Sequence, residues 1–145
     1  MQHTIRKIQA ADKPSVLDMM RTFYASPAVW SNGSDEIFSR DIDECLANSP
    51  YLEGYVFESD GTLLGYAMLA KSFSTEFGKP CIWIEDLYID APYRGTGLGS
   101  AFLDFVQDVY DGCIFRLEAE EENEGAVKLY RQKGFSVLPY MEMKK

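Results

Sequence analysis

One segment limits the architecture more than any other. In Cys81-Ile82-Trp83-Ile84-Glu85-Asp86-Leu87-Tyr88-Ile89 both alternating faces are mostly apolar. A strand patterned in this way is covered on both sides, so it belongs in the middle of a sheet sandwiched between two layers.

The rest of the chain supplies neighbours and layers. A short strand is expected over residues 4–9, then a helix capped by Asp12, with Val16, Leu17, Met20, Phe23 and Tyr24 as its apolar stripe. Ser26-Pro27 stops that helix, and Ser34 caps a second one with Phe38, Ile42, Cys45 and Leu46 inward. Tyr55-Val56-Phe57, the Asp60-Gly61 turn and residues 63–69 read as an antiparallel hairpin. Beyond the central strand, Leu98, Phe102, Phe105, Val106 and Val109 mark a third helix, and residues 113–119 a strand with Phe115 and Leu117 on one side, Arg116 and Glu118 on the other. A fourth helix runs from Asn123 to Gly134, and residues 135–138 and 140–143 are expected to close the sheet as short strands. The fold class is α/β (α+β), a mixed, mostly antiparallel sheet with about four helices.

The chain has 145 residues, 46% of them hydrophobic, which suits a single domain spanning 1–145. Its formal net charge of -9 repels nucleic acid and anionic membrane and attracts a small cation. No apolar run has the roughly 20 residues of a bilayer helix, and residues 1–6 do not look like a signal peptide. A cytoplasmic location is expected. Cys45, Cys81 and Cys113 are odd in number and far apart, so each reads as a small apolar residue. The only histidine is His3, near the N-terminus, which leaves no Ser-His-Asp triad and no histidine-based zinc site.

Arg94-Gly95-Thr96-Gly97-Leu98-Gly99-Ser100 lies between the central strand and a helix start. Free backbone N–H groups and the helix dipole make such a turn an anion site. No Gly-Lys-Ser/Thr follows at P-loop spacing, and the third glycine of a dinucleotide fingerprint falls on Ser100. The pattern Arg/Gln-x-x-Gly-x-Gly/Ala is filled by Arg94, Gly97 and Gly99. Together with Glu85-Asp86-Leu87-Tyr88-Ile89 before it and Asn123-x-x-Ala126-x-x-Leu129-Tyr130-x-x-x-Gly134-Phe135 after it, the chain resembles the GNAT superfamily of acetyl-CoA-dependent N-acetyltransferases.

The resemblance implies that the loop N–H groups hold the pyrophosphate of coenzyme A and that pantetheine lies along the preceding strand like an added strand. The coenzyme-binding residues are then Leu87, Tyr88, Ile89, Arg94, Gly95, Thr96, Gly97, Leu98, Gly99, Ser100, Asn123 and Tyr130. The co-substrate is acetyl-CoA, and no metal is required.

Amine acetylation carries a protonation problem. An alkylamine of pKa near 10.4 is neutral about once in 2,500 molecules at pH 7, a deficit of roughly 4.6 kcal/mol. Glu85 is the candidate base, since strict alternation places it with Trp83, Leu87 and Ile89, where an isolated carboxylate has a raised pKa; a bulge would change that facing. Ile84-Glu85-Asp86-Leu87 also resembles the Leu-Glu-Asp segment of spermidine/spermine N-acetyltransferases. Tyr130 stands at the position of the family's acid for the departing thiolate, although it shares a helix side with Ala126 and Val127. Acceptor contacts are expected from Trp30, Glu36, Phe77, Glu85 and Asp86, and from the acidic run 118–124. The acceptor is a small-molecule amine, with a homodimer as in many relatives. Two other readings stay open: a noncatalytic acyl-CoA-binding module on the same fold, and a protein N-acetyltransferase.

Overall fold

The computed structural model describes residues 2–145. In chain order it contains β1 (Thr4–Lys7), α1 (Lys13–Tyr24), α2 (Asp35–Leu46), β2 (Leu52–Ser59), β3 (Thr62–Ser74), β4 (Lys79–Ile89), α3 (Leu98–Val109), β5 (Ile114–Leu117) and α4 (Glu124–Gln132). The strands form one sheet in the order β1-β2-β3-β4-β5, with β1 to β4 antiparallel and β5 parallel to β4. The mixed, mostly antiparallel sheet and the four helices are those expected. No helix among the described residues is long and apolar enough to cross a membrane.

Two cores confirm that β4 is covered on both sides. On one face Val16, Met20, Phe38 and Ile42 of α1 and α2 pack on Val56, Tyr66, Met68 and Tyr88. On the other, Leu98, Phe102, Leu103 and Val106 of α3 meet Phe57, Ala67, Leu69, Ile82 and Ile84. Phe102 is fully buried and meets Phe57 and Tyr55 edge-on, an arrangement favourable beyond the area it buries.

Local chemistry sets the helix starts. Ser34 caps α2 as expected, its Oγ accepting from the Ile37 N–H at 3.2 Å. Asp12 does not cap α1. Its side chain reaches back to the Gln9 N–H (2.8 Å) and pairs with Arg6 (2.8 Å), since a carboxylate buried here needs a cation more than α1 needs a cap. Arg6 also binds Glu58 of β2, which ties β1, the first turn and β2 together.

The closing strands expected at 135–138 and 140–143 do not form. Residues after α4 carry no strand, and the sheet ends at β5. Pro139 divides the segment and removes a ladder donor, and β5 is only four residues long. The tail instead turns at Gly134 (φ +93°), seats Phe135 against Tyr130 with ring centroids 6.0 Å apart, and runs over the sheet end.

Gly65 of β3 lies opposite Ile89, and a Cβ there would sit 2.2 Å from the Tyr88 carbonyl oxygen and 2.9 Å from the Phe57 ring. Backbone cannot yield as a side-chain tip can. Gly65→Ala is therefore expected to lose ~1–3 kcal/mol, as overpacked sites do. Gly125→Ala, with nothing within 4 Å on α4, is expected to be neutral or stabilising. Denaturant unfolding of the two variants checks the contrast.

Candidate active site

The central strand is irregular at one point. Met68 of β3 is opposite Asp86 while Leu69 is opposite Ile84, so Glu85 is an extra residue, a β-bulge. The bulge corrects the expected facing. Ile82 and Ile84 pack toward α3, and so do Leu87 and Ile89, whereas Asp86 and Tyr88 turn toward α1 and α2. Trp83 and Leu87 thus lie on opposite faces, and Glu85 shares neither regular face.

Parallel pairing between β4 and β5 runs from Cys81 and Ile114 to Ile84 and Leu117 and ends just before the bulge. Beyond it β4 has an open edge. The Asp90 N–H donates to Leu64 O at 2.8 Å, so by alternation Leu87 and Ile89 direct their main-chain groups away from β3, into the gap that β5 leaves. Arg94 Nε donates to Ile89 O at 2.8 Å, and its guanidinium sits 5.6 Å from the Tyr88 ring centre. Tyr88 itself faces inward, donating its hydroxyl to Asp90, and does not reach the open edge.

At the end of that edge the glycine turn leaves its backbone open. Gly95 and Gly97 have φ of +77° and +89° with open space where a Cβ would be. Among the described residues, none of the N–H groups from Gly95 to Ser100 donates a hydrogen bond; the first one inside α3 is Ala101 N–H to Gly97 O. Thr96 donates its hydroxyl to Tyr93 O. Leu98 points its side chain into the α3 core, and Gly99 is small because Leu129 of α4 lies 3.0 Å from its Cβ position. Asn123 is the α4 N-cap, with no side-chain capping bond.

A cavity of about 1170 Å³ occupies the gap. Its floor is Trp83, Glu85 and Asp86 of β4 with Arg116 of β5, and Tyr130 of α4 closes one wall. Tyr24 and Trp30 come from the α1 side, and Tyr140 and Glu142 from the tail. Asp86 is 3% exposed and accepts from Tyr66 OH at 2.7 Å and Tyr24 OH at 2.8 Å; burial raises its pKa and the two phenols partly oppose that. Glu85 opens to the cavity, yet the enclosing walls, then Asp86, Glu142 and Asp41, hold its pKa above the usual carboxylate range. Glu118 lies near Glu142, whose carboxylate, with partial burial, raises its pKa to about 7. Burial also raises Tyr130, keeping it a protonated phenol.

Of the expected acceptor residues, Trp30, Glu85 and Asp86 line the cavity. Glu36 does not: it pairs with Arg40 on the solvent side of α2 at 3.3 Å. Phe77 also lies outside, because the tight β3–β4 turn brings in its neighbour Glu76 instead, which accepts a hydrogen bond from Tyr140. From the acidic run, Glu118, Glu120 and Glu121 face the cavity. Tyr24, Tyr66, Arg116 and Glu142 carry no sequence signal for this site, since their partners are distant along the chain.

A two-sided sheet whose central strands part beside an anion-binding turn is the architecture of an acyl-CoA acetyltransferase domain. Residues 15–135 match the model of the Acetyltransferase (GNAT) family, and the chain belongs to that family. It is 37% identical over 89 residues to thialysine N-epsilon-acetyltransferase of Mus musculus, a match covering 59% of this chain and 52% of that protein. It is 29% identical over 108 residues to spermine/spermidine N(1)-acetyltransferase of Bacillus subtilis, covering 70% and 68%. The matched stretch thus spans about half the length of the mouse relative. In fold it resembles the aminoglycoside acetyltransferase AAC(6')-Iy solved with a CoA-containing bisubstrate analogue, at TM-score 0.80 and 17% identity over 100% of this chain and 98% of that one.

The half-buried Asp41 of α2 has its pKa raised from an ordinary 3.8 to about 6, first by burial and then by Asp86. A raised acid favours the folded state when protonated, so its penalty is absent below pH 3.8 and grows until pH passes 6. Asp41→Asn is expected to melt above the parent chain at pH 7–8, with the difference vanishing toward pH 4. Thermal melts across that range check the sign.

Proposed function

We propose that this chain transfers the acetyl group of acetyl-CoA to the primary amine of a small cationic acceptor by direct attack in a ternary complex. The observation that carries the reading is the bulge: it puts the Glu85 carboxylate and, across the same gap, the Tyr130 phenol on one cavity at the mouth of the open β4 edge. The free N–H groups from Gly95 to Ser100 suit a pyrophosphate, and the main-chain groups of Leu87 with the N–H of Ile89 suit a pantetheine amide chain. Acetyl-CoA is the group these features fit.

In this reading Glu85 takes the ammonium proton, directly or through a water, so that the amine is nucleophilic. Its raised pKa makes it a stronger base than an exposed glutamate. The new N–C bond forms as the C–S bond breaks, and Tyr130, kept protonated by burial, donates to the departing sulfur. A main-chain N–H near Leu87 stabilises the oxyanion. The acidic walls, Glu118 and Glu142 among them, lower the energy of an approaching ammonium. A second copy of the chain completes the picture: the outer edge of β5 pairs with no strand among the described residues, and Val137, Met141 and Met143 of the tail are at least 76% exposed.

Purified protein given acetyl-CoA and a panel of primary amines is expected to release thiol only when an acceptor is present. Tight coenzyme binding without acceptor-dependent thiol would support a binding module instead. Tyr130→Phe is expected to lower kcat by roughly 10- to 100-fold with little change in coenzyme affinity. Glu85→Gln is expected to lower kcat and to flatten the rise of rate with pH, because the parent rate climbs as Glu85 ionises. An unchanged pH profile in Glu85→Gln removes it as the base.

A further inference from the structure

Arg116 is the feature of the cavity that the reaction above leaves unused. Arg6, Arg21 and Arg40 are paired with acids: Arg6 with Asp12 and Glu58, Arg21 with Asp18 and Asp35, Arg40 with Glu36. Arg94 is held by the Ile89 carbonyl, and Arg131, also on the cavity wall, comes from α4 rather than from the floor. Arg116 lines a strongly acidic cavity, yet among the described residues no carboxylate lies within 4 Å of its guanidinium. It is held in place nonetheless. Its guanidinium carbon stands 4.6 Å from the centre of the Trp83 ring, its register partner on β4. Stacking on the ring face fixes the plane of the fork and leaves its N–H edges free for a planar anion.

Facing and distance place this fork beside the reacting group. Phe115 and Leu117 pack toward α3, so Arg116 between them points to the acceptor side, as Trp83 does between Ile82 and Ile84. Glu85 is two residues beyond Trp83, about 6–7 Å along the strand, and β5 lies about 5 Å across from β4. A carboxylate on Arg116 and an amine on Glu85 are therefore separated by the length of one small molecule.

We propose that the acceptor carries a carboxylate as well as its reacting amine, and that Arg116 selects it: the substrate class is free amino acids and related amino carboxylates, not simple diamines or polyamines. The inference rests on the acetyltransferase reading and narrows it. A net cationic amino acid satisfies both the acidic walls and the Arg116 fork on the floor, whereas a diamine would bring a second ammonium to an arginine.

The test uses matched pairs that differ only by the carboxylate: lysine and cadaverine, ornithine and putrescine, tyrosine and tyramine. The amino acid of the best-used pair is expected to have the higher kcat/KM. In Arg116→Gln that preference should fall by roughly 10- to 100-fold, the range of a lost charge-assisted pair, with Arg116→Lys recovering part of it. Calorimetric titration of the same pairs into protein saturated with coenzyme A reads the preference without turnover. Arg116-dependent binding of the amino acids with no thiol release would fail the catalytic reading and keep the carboxylate site. Equal or stronger binding of the decarboxylated partners, or a ratio unmoved in Arg116→Gln, overturns the inference.

Discussion

A single extra residue in β4 organises the functional half of this molecule. Before Glu85, β4 is a central strand with β3 on one side and β5 on the other; after it, β4 pairs with β3 alone. A bulge bends and twists its strand, so β5 cannot follow, and the sheet opens at a point where both covering layers are still in place. The cavity is the result. Its walls are helices, its floor is sheet, and an unpaired strand edge leads into it. A regular strand would have kept the residues after Leu117 paired, burying Glu85 or turning it to solvent.

That opening costs backbone hydrogen bonds, and the surrounding structure offsets the loss by holding the strand from the other side. Ten residue pairs join β3 to β4, and Gly65 permits β3 to approach the Tyr88 carbonyl more closely than any side chain would allow. Asp86, next to the bulge, is anchored by two phenols from α1 and β3, which gives a buried carboxylate the donors it needs and pins the strand to the α1 layer. Glu85 and Asp86 are adjacent and both acidic but take opposite roles for this reason. Asp86 has its hydrogen bonds filled by the fold, whereas Glu85 faces the open cavity.

Much of this was legible in the chain. The two-sided apolar run of residues 81–89 identified the central strand, and the glycine turn after it announced an anion site, because both signals are local and depend on residue type alone. The presence of Glu85 and Tyr130 on one cavity was likewise expected, from the resemblance of their segments to the family's pattern. Facing was not, since a bulge comes from the competition between two neighbouring strands and leaves no mark in the alternation of one. Neither was the pairing of Tyr24 with Asp86, 62 residues apart. Residues 135–143 misled in the opposite sense: their apolar alternation suits a strand, but strand formation needs an edge long enough to pair with, and β5 offers four residues.

The tail's failure to join the sheet changes the chemistry of the cavity. Had residues 140–143 run as a strand beside β5, every second side chain would have faced the α3 layer or the acceptor side in fixed alternation. Instead the tail lies over the gap and brings Tyr140 to Glu76 and Glu142 to Glu118. Glu142 thereby adds a carboxylate opposite the one supplied by the chain after β5, and both act on Glu85 through space. The same negative field that raises the Glu85 pKa would also draw in the ammonium of the proposed reaction. The two effects offset each other in the proton transfer itself, because walls that make the carboxylate more basic also hold the ammonium's proton more tightly; what the field favours is capture of the cation beside Glu85.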